Sequence, residues 1–205
     1  DRDVLGLYFR NNYVPAPCSI YKNIFKLPQG TFLTLNIQNM SSGLLPEPIN
    51  YWSLLKAAQY GINHPFSGTD EDAISELDKY LKTAISGQMI SDVPLGAFLS
   101  GGVDSSAVVS LMQAQSTQPI RTFTIGFQDV AYNEATYANA VAKHIGTAHT
   151  ELCVTPEDCM SVLPDLPALY DEPFADSSQI PTHLVCKLAR QNVAVCLSGD
   201  GGDEV

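Results

Sequence analysis

From Thr69 onward, short apolar runs alternate with stretches whose apolar residues return at helical spacing. Ile74, Leu77, Leu81, Ala84 and Ile85 form the first such stripe. Thr69-Asp70-Glu71-Asp72 ahead of it offers a hydroxyl cap and acids for the positive end of a helix dipole, so a helix with its stripe in the core is predicted. Val93 to Leu99 then reads as a buried strand, and Ala107 to Met112 as the first turns of a helix. A strand at Arg121 to Phe127, a helix at Glu134 to Ile145, a strand at His149 to Val154 and a helix at Pro156 to Leu169 follow. A helix at Gln179 to Arg190 and a strand at Val193 to Leu197 complete the set. This alternation predicts an α/β fold, a mostly parallel sheet with helices on both faces.

The first part of the chain is patterned differently. A helix-like opening leads to Tyr13-Val14-Pro15-Ala16-Pro17 and then Ile20 to Leu27. After the turn signal Pro28-Gln29-Gly30, Phe32-Leu33-Thr34-Leu35 alternates as a strand does. This piece is too short and too broken for a core of its own. Ser41-Ser42-Gly43 through Pro48 reads as turn and linker, and Tyr51-Trp52 as a packing contact that pins the linker. The change of pattern falls between residues 50 and 70.

The chemistry concentrates at two strand ends. Phe98-Leu99-Ser100-Gly101-Gly102-Val103-Asp104-Ser105-Ser106 joins a strand to a helix. Adjacent glycines let backbone approach a ligand closely. Free N–H groups at a helix start, the helix dipole and small hydroxyls make a phosphate site. Asp104 beside a phosphate calls for a metal ion between them, which points to a magnesium-bound polyphosphate, most simply ATP. The Gly-x-x-x-x-Gly-Lys loop is excluded because no lysine lies nearby, and the dinucleotide fingerprint because the glycines are adjacent. The second strand end, Ser198-Gly199-Asp200-Gly201-Gly202-Asp203-Glu204, repeats the glycines and the serine and adds carboxylates. Taken singly, the first loop is also readable as a plain turn and the second as a solvated acidic one. Together, at the carboxyl edge of one parallel sheet, they read as a Mg–ATP site with Asp104 and Asp203 as metal ligands.

Composition narrows the classes. The 205 residues are 45% apolar, enough for a core, and their net charge of −11 argues against nucleic acid and anionic membrane as partners. No apolar run reaches the roughly 18 residues of a membrane span. Five cysteines, odd in number and without a Cys-x-x-Cys pair, read as free, mostly buried thiols of a reducing, cytoplasmic setting. His64, His144, His149 and His183 show no ligand spacing with them, so zinc is not expected and each histidine reads as surface or core.

The Ser-Gly-Gly-x-Asp-Ser loop resembles the pyrophosphate loop of ATP pyrophosphatases. The two loops at this separation are similar to the synthetase domain of glutamine-dependent asparagine synthetases. Arg121-Thr122-Phe123-Thr124-Ile125-Gly126-Phe127 resembles that family's second strand, Asn133-Glu134 its usual continuation, and Leu169 through Ser178 the loop before its next helix. The opening piece, around Tyr13-Val14-Pro15 and Lys26-Leu27-Pro28, resembles the end of the family's glutaminase domain. The resemblance therefore implies a boundary at residue 50: 1–50 as glutaminase remnant and linker, 51–205 as the first part of the synthetase domain. It implies ATP-dependent conversion of aspartate to asparagine through β-aspartyl-AMP, with ammonia drawn from glutamine. Ser100, Gly101, Gly102, Ser105 and Ser106 would hold pyrophosphate, and Asp104 and Asp203 magnesium. Phe98, Ile125 and Gly126 would border the adenine, with Ser198 and Gly199 on the nucleotide's other side. Asp200 stands where well-studied relatives carry Glu, linked to the ammonia step; it is assigned a catalytic role here, against the alternative of shaping the loop.

Asp171, Glu172 and Asp176 form a further acidic group, readable equally as a solvated loop or as a substrate-side loop. The family's nucleophilic amino-terminal cysteine and its downstream catalytic lysine have no counterpart here, so a fragment inactive on its own is expected. Loss of downstream helices would expose a sheet face and leave formation of a homo-oligomer open. Two other functions remain: adenylation of a different carboxylate, as in β-lactam-forming synthetases or other amidotransferases, and non-catalytic nucleotide binding.

Overall fold

The computed structural model describes residues 1–36, 45–127 and 133–202. The chain divides into two compact units, one of 1–68 with 165–176 and one of 69–164 with 177–205.

In the first unit, α1 (Leu5–Asn11) is closed by Asn12 in the left-handed conformation. Strands β1 (Thr31–Phe32) and β2 (Ile49–Asn50) pair antiparallel, and α2 spans Leu54–Asn63. The alternation at Phe32 to Leu35 therefore yields only two strand residues, because β2 offers only two with which to pair. Tyr51 and Trp52 each donate a backbone N–H to the carbonyl of Gly30, at 2.9 and 3.2 Å. The pinning is thus done by backbone, while both rings stay largely exposed.

In the second unit, α3 (Asp70–Gln88) starts at a capping box in which Thr69 Oγ1 accepts the Asp72 N–H and Asp72 accepts the Thr69 N–H. Those bonds hold the Asp72 carboxyl below its usual range. There follow β3 (Leu95–Phe98), α4 (Val103–Ala114), β4 (Arg121–Phe127), α5 (Ala135–Ile145), β5 (Ala148–Val154) and α6 (Pro156–Val162). A 3-10 turn, Leu163–Asp165, leads to α7 (Leu166–Leu169), then α8 (Gln179–Ala189) and β6 (Val195–Leu197). The four strands β3 to β6 form one parallel sheet in the order β5-β4-β3-β6.

Side-chain alternation along the sheet separates two cores. Ala97 and Leu99 face Val109 and Met112 of α4, Ala138 and Ala142 of α5, and Ile85 of α3. Phe98 and Phe123 face the other way, onto Leu188 and Ala189 of α8 and onto Val193. Helices thus cover both faces, as the βα alternation requires. The chain runs β3, β4, β5 in one direction and returns to place β6 on the free side of β3. The reversal falls between β3 and β6, and in open parallel sheets the crevice at the strand ends of such a reversal is where ligands bind.

Three expectations need correction. The α3 stripe is not core: only Ile85 is buried, while Ile74 and Leu77 are 68% and 58% exposed. The main packing partner of α3 is α4, and only Ile85 reaches the core shared with Ala97, Leu99 and Met112. The helix read at Pro156 to Leu169 is broken after Val162, because Pro164 lacks an N–H and its ring crowds the preceding turn. The cysteines are all free but none is buried; Cys153 lies exposed on the edge strand β5 and Cys186 exposed on α8. Among the described residues, no helix is long and apolar enough to cross a membrane.

Candidate functional site

At the end of β3 the chain is held down before it turns: the Leu99 N–H donates to the Phe123 carbonyl at 3.0 Å, and the Leu99 side chain is buried. The hydroxyl of Thr124, one residue further along β4, donates to the Leu99 carbonyl. Gly101 then adopts φ +85°, a conformation that side-chain-bearing residues rarely take. A Cβ there would stand 2.6 Å from the Ala138 nitrogen, so the loop lies directly on α5. Gly102, with extended backbone, caps α4 without a side chain. The first N–H groups of α4 therefore carry no side-chain cap, and they form the positive end of the helix.

The loop's own hydroxyls hold its shape. The Ser100 and Ser105 hydroxyls lie 2.8 Å apart, Ser105 Oγ accepts the Ser100 N–H at 3.2 Å, and Ser100 Oγ accepts the Gly102 N–H at 3.2 Å. Ser105 also donates to the Gly102 carbonyl. Ser106 Oγ, one residue on, is buried with no hydrogen-bond partner.

The loop after β6 meets this one. Ser198 Oγ donates to Asp200 at 3.0 Å and accepts the Asp200 N–H at 3.3 Å, closing a tight turn. A Cβ on Gly199 would stand 2.7 Å from the Ser105 nitrogen and 3.0 Å from the Asp104 carbonyl carbon. One on Gly202 would stand 3.1 Å from the Asp104 carboxyl. The two glycine loops, nearly a hundred residues apart in sequence, are packed backbone to backbone.

Between them opens a cavity of about 560 Å³. Of the residues singled out from the sequence, Phe98, Ser100, Gly102, Asp104, Ser105, Ile125, Ser198, Gly199 and Asp200 line it. Gly101, Ser106 and Gly126 lie outside its lining. Gly126 lets α5 close in behind: a Cβ there would stand 2.8 Å from Ala135 Cβ and 2.9 Å from Asn133 Oδ1. Asp203 lies outside the described residues.

Sequence reasoning missed Thr124, Phe127 and Glu134 on one side of the cavity and Pro181, Thr182 and Val185 of α8 on the other. The α8 residues had a signal. They share one helical face, and Pro181 in the first turn wastes no hydrogen bond. Helical spacing marks a common face but does not say what it looks at.

The charge of the cavity is informative. Asp104, Glu134 and Asp200 line it, with no Lys or Arg among the lining residues. A bare polyphosphate would be repelled by those carboxylates; one carrying a divalent cation would not. Among the described residues no three Asp, Glu, His or Cys side chains converge on one point, so an ion held here would take phosphate oxygens as well. The uncapped start of α4 and Asp104 against the second loop, both at the cavity, fit Mg–ATP.

The remaining titratable groups of the sheet serve packing. His149, at the start of β5, accepts or donates through Nδ1 to Thr122 Oγ1 at 2.9 Å, and Thr122 also bonds the Thr147 hydroxyl. Burial pushes the His149 pKa down, while Glu151 acts against that shift. Burial likewise lifts the Cys196 thiol to about 11, with Cys186 adding to the effect.

Residues 76–205 match the family model described as asparagine synthase. A protein of Methanocaldococcus jannaschii with the provisional name glutamine-hydrolyzing asparagine synthetase 2 is 37% identical over the whole of this chain, which spans 38% of that protein. Glutamine-hydrolyzing asparagine synthetase 1 of Bacillus subtilis is 31% identical over the whole chain, which spans 30% of it. Among solved structures, the NH3-dependent NAD synthetase of Campylobacter jejuni aligns with 60% of this chain and 54% of its own, at 13% identity and a TM-score of 0.43. With the family match running from α3 through both glycine loops, the chain belongs to the asparagine synthase family.

Proposed function

We propose that the cavity is the Mg–ATP site of an enzyme that converts aspartate to asparagine, with ammonia released from glutamine elsewhere in the intact protein. The observation that carries this reading is the contact of two glycine loops at the reversal between β3 and β6. One supplies an uncapped helix start, the other carboxylates, around a cavity of the size small-molecule sites have.

In this reading the first N–H groups of α4 and the Ser100 and Ser105 hydroxyls, with Ser106 one residue on, hold the β and γ phosphates. Without ligand the Ser100 and Ser105 hydroxyls bond each other and Gly102, which keeps the loop in shape. Asp104 and Asp203 would hold Mg2+, which when bound offsets negative charge on the departing pyrophosphate. Phe98 and Ile125 border the adenine, Gly126 allows α5 to pack behind it, and Ser198 and Gly199 face the nucleotide from the other strand end. The aspartate side-chain carboxylate attacks the α phosphorus, forming β-aspartyl-AMP and releasing pyrophosphate. Ammonia then attacks the acyl carbon and AMP departs. Asp200, among the cavity's lining residues, would accept a proton from the attacking ammonia. The protein's main contribution is to fix the reactants in line and to stabilise developing phosphate charge. Residues 1–50 are assigned to the end of the glutamine-hydrolysing domain and 51–205 to the first part of the synthetase domain, a reading supported by the names and lengths of the relatives.

The test is pyrophosphate release by the intact protein with Mg–ATP, ammonia and a panel of carboxylic acids. Release that requires aspartate and disappears in Asp104→Ala is expected. Release with another acid alone moves the substrate and keeps the site. Release unaffected by Asp104→Ala refutes the assignment of the loop.

A further inference from the structure

Three neighbouring strand ends each bring one carboxylate to the cavity: Asp200 after β6, Asp104 after β3 and Glu134 after β4. Glu134 alone has no part in the chemistry assigned so far. It is the cap residue of α5, and its neighbours Asn133 and Ala135 are the residues pressed against Gly126 near the end of β4. Its place beside that strand end is therefore fixed by packing on both sides of it. Among the described residues its carboxylate has no hydrogen-bond or ion-pair partner.

The lining next to Glu134 is apolar. β4 contributes Ile125 and Phe127, and β3, one strand over, contributes Phe98. Such walls suit the flat face of a base, whereas phosphate is suited by the uncapped start of α4. A carboxylate only accepts hydrogen bonds. ATP offers it two kinds of donor, the ribose hydroxyls and the 6-amino group of adenine, and the amino group is the one carried by a flat ring. We infer that Glu134 is a specificity-determining residue: it accepts a hydrogen bond from the 6-amino group and so selects a purine that carries one. A purine without that group would leave the carboxylate unpaired against the ligand, which is how a polar site rejects an analogue of nearly the same shape. This inference rests on the nucleotide reading of the cavity, with Ile125 and Gly126 bordering the base.

The experiment uses the intact protein with Mg2+ and two non-cleavable probes: α,β-methylene-ATP, and the same molecule with hydrogen in place of the 6-amino group. The wild type is expected to bind the amino probe about tenfold more tightly, the effect of one bond to a charged acceptor. In Glu134→Ala the amino probe should weaken to the level of the other, whose own Kd stays within about twofold of wild type. That second Kd reports folding, since a misfolded variant loses both probes. Glu134→Gln keeps an acceptor but loses the charge, and should retain a smaller preference. An acid at a helix start also suits the dipole; in that role its removal would change the melting temperature and leave the preference as it is. A preference unchanged in Glu134→Ala, an equal loss for both probes in a folded variant, or a wild type that binds both probes alike overturns the inference and leaves the nucleotide site standing. A wild type that binds neither probe refutes the nucleotide reading, and the inference with it.

Discussion

Gly199→Ala tests the contact between the two glycine loops directly. The added methyl would stand 2.7 Å from the Ser105 nitrogen, about 0.7 Å inside the 3.4 Å at which ordinary contact begins. Its other neighbours, at 3.0 and 3.1 Å, are the Asp104 carbonyl carbon and the Ser105 Cα. All three are backbone atoms of the first turn of α4, so no side chain can swing aside; the loops themselves must part. Inserting a methyl into such a contact costs about 1–3 kcal/mol. If the loops bind one nucleotide between them, that cost falls on the geometry that holds it, which converts to a Kd for α,β-methylene-ATP raised by about five- to 150-fold. The assay is calorimetric titration of the variant beside a thermal melt. Gly87→Ala is the control: it sits in α3 with nothing within 4 Å of the added Cβ, and should gain about 0.5–1 kcal/mol of stability with unchanged binding. A Gly199→Ala protein that binds the analogue as tightly as wild type refutes the claim that the two loops form one site.

Three further outcomes are expected. Leu99→Ala empties a buried position at the end of β3 and should cost about 2–5 kcal/mol in urea unfolding, far more than truncation of the exposed Leu77 on α3. His149 has its pKa lowered in the fold, chiefly by burial, so the unfolded chain binds the proton more readily. Its contribution to stability is complete above the unfolded value near 6.5 and is lost as pH falls through the lowered folded value. His149→Gln should therefore flatten the dependence of the melting temperature on pH in that window; an unchanged slope would place the effect elsewhere. Cys196, with its thiol lifted to about 11, should be the last cysteine labelled by iodoacetamide at pH 8, and Cys153, exposed on the edge strand, should react well before it. Peptide mass spectrometry reads the order, and early labelling of Cys196 would contradict the lifted thiol.

The two loops were legible because each writes its chemistry into consecutive residues. A strand's apolar run, two glycines, a hydroxyl and a helix start leave little freedom of arrangement, and the parallel sheet that brings them together follows from the alternation of elements. Ile125 and Gly126 were legible for the same reason, as the end of a strand next in order. The wall made by Pro181, Thr182 and Val185 was not, since a helical face carries no mark of what it meets. The stripe on α3 shows the same limit from the other side. Its period states correctly that one face is apolar, but whether that face is covered depends on which elements pack against it. The hydroxyl of Ser105 shows a third limit. Residue type allows it to bind a phosphate or its own loop, and its bonds to Ser100 and Gly102 come to light only in the fold.

Glu172 is the position where local reading had least to work with. It stands between Asp171 and Pro173 in a loop before a helix, a context in which an acid is normally solvated or aimed at a substrate. Its partners are the Ile20 amide, 152 residues earlier, and the Lys26 ammonium. An amide donor is present at every residue except proline and so leaves no trace in a sequence, and a single lysine among six others carries no sign of its mate. A bond between such groups becomes visible only when the fold closes the distance. Once it is closed, the physics differs from that of either local reading. A solvated glutamate contributes little, whereas one with 14% of its side chain exposed and two charge-assisted bonds resists removal of either partner. Pro164 falls in the 3-10 turn after α6 and Pro167 in the first turn of α7, where a missing N–H wastes no helical bond, and the segment they open packs with residues 1–68.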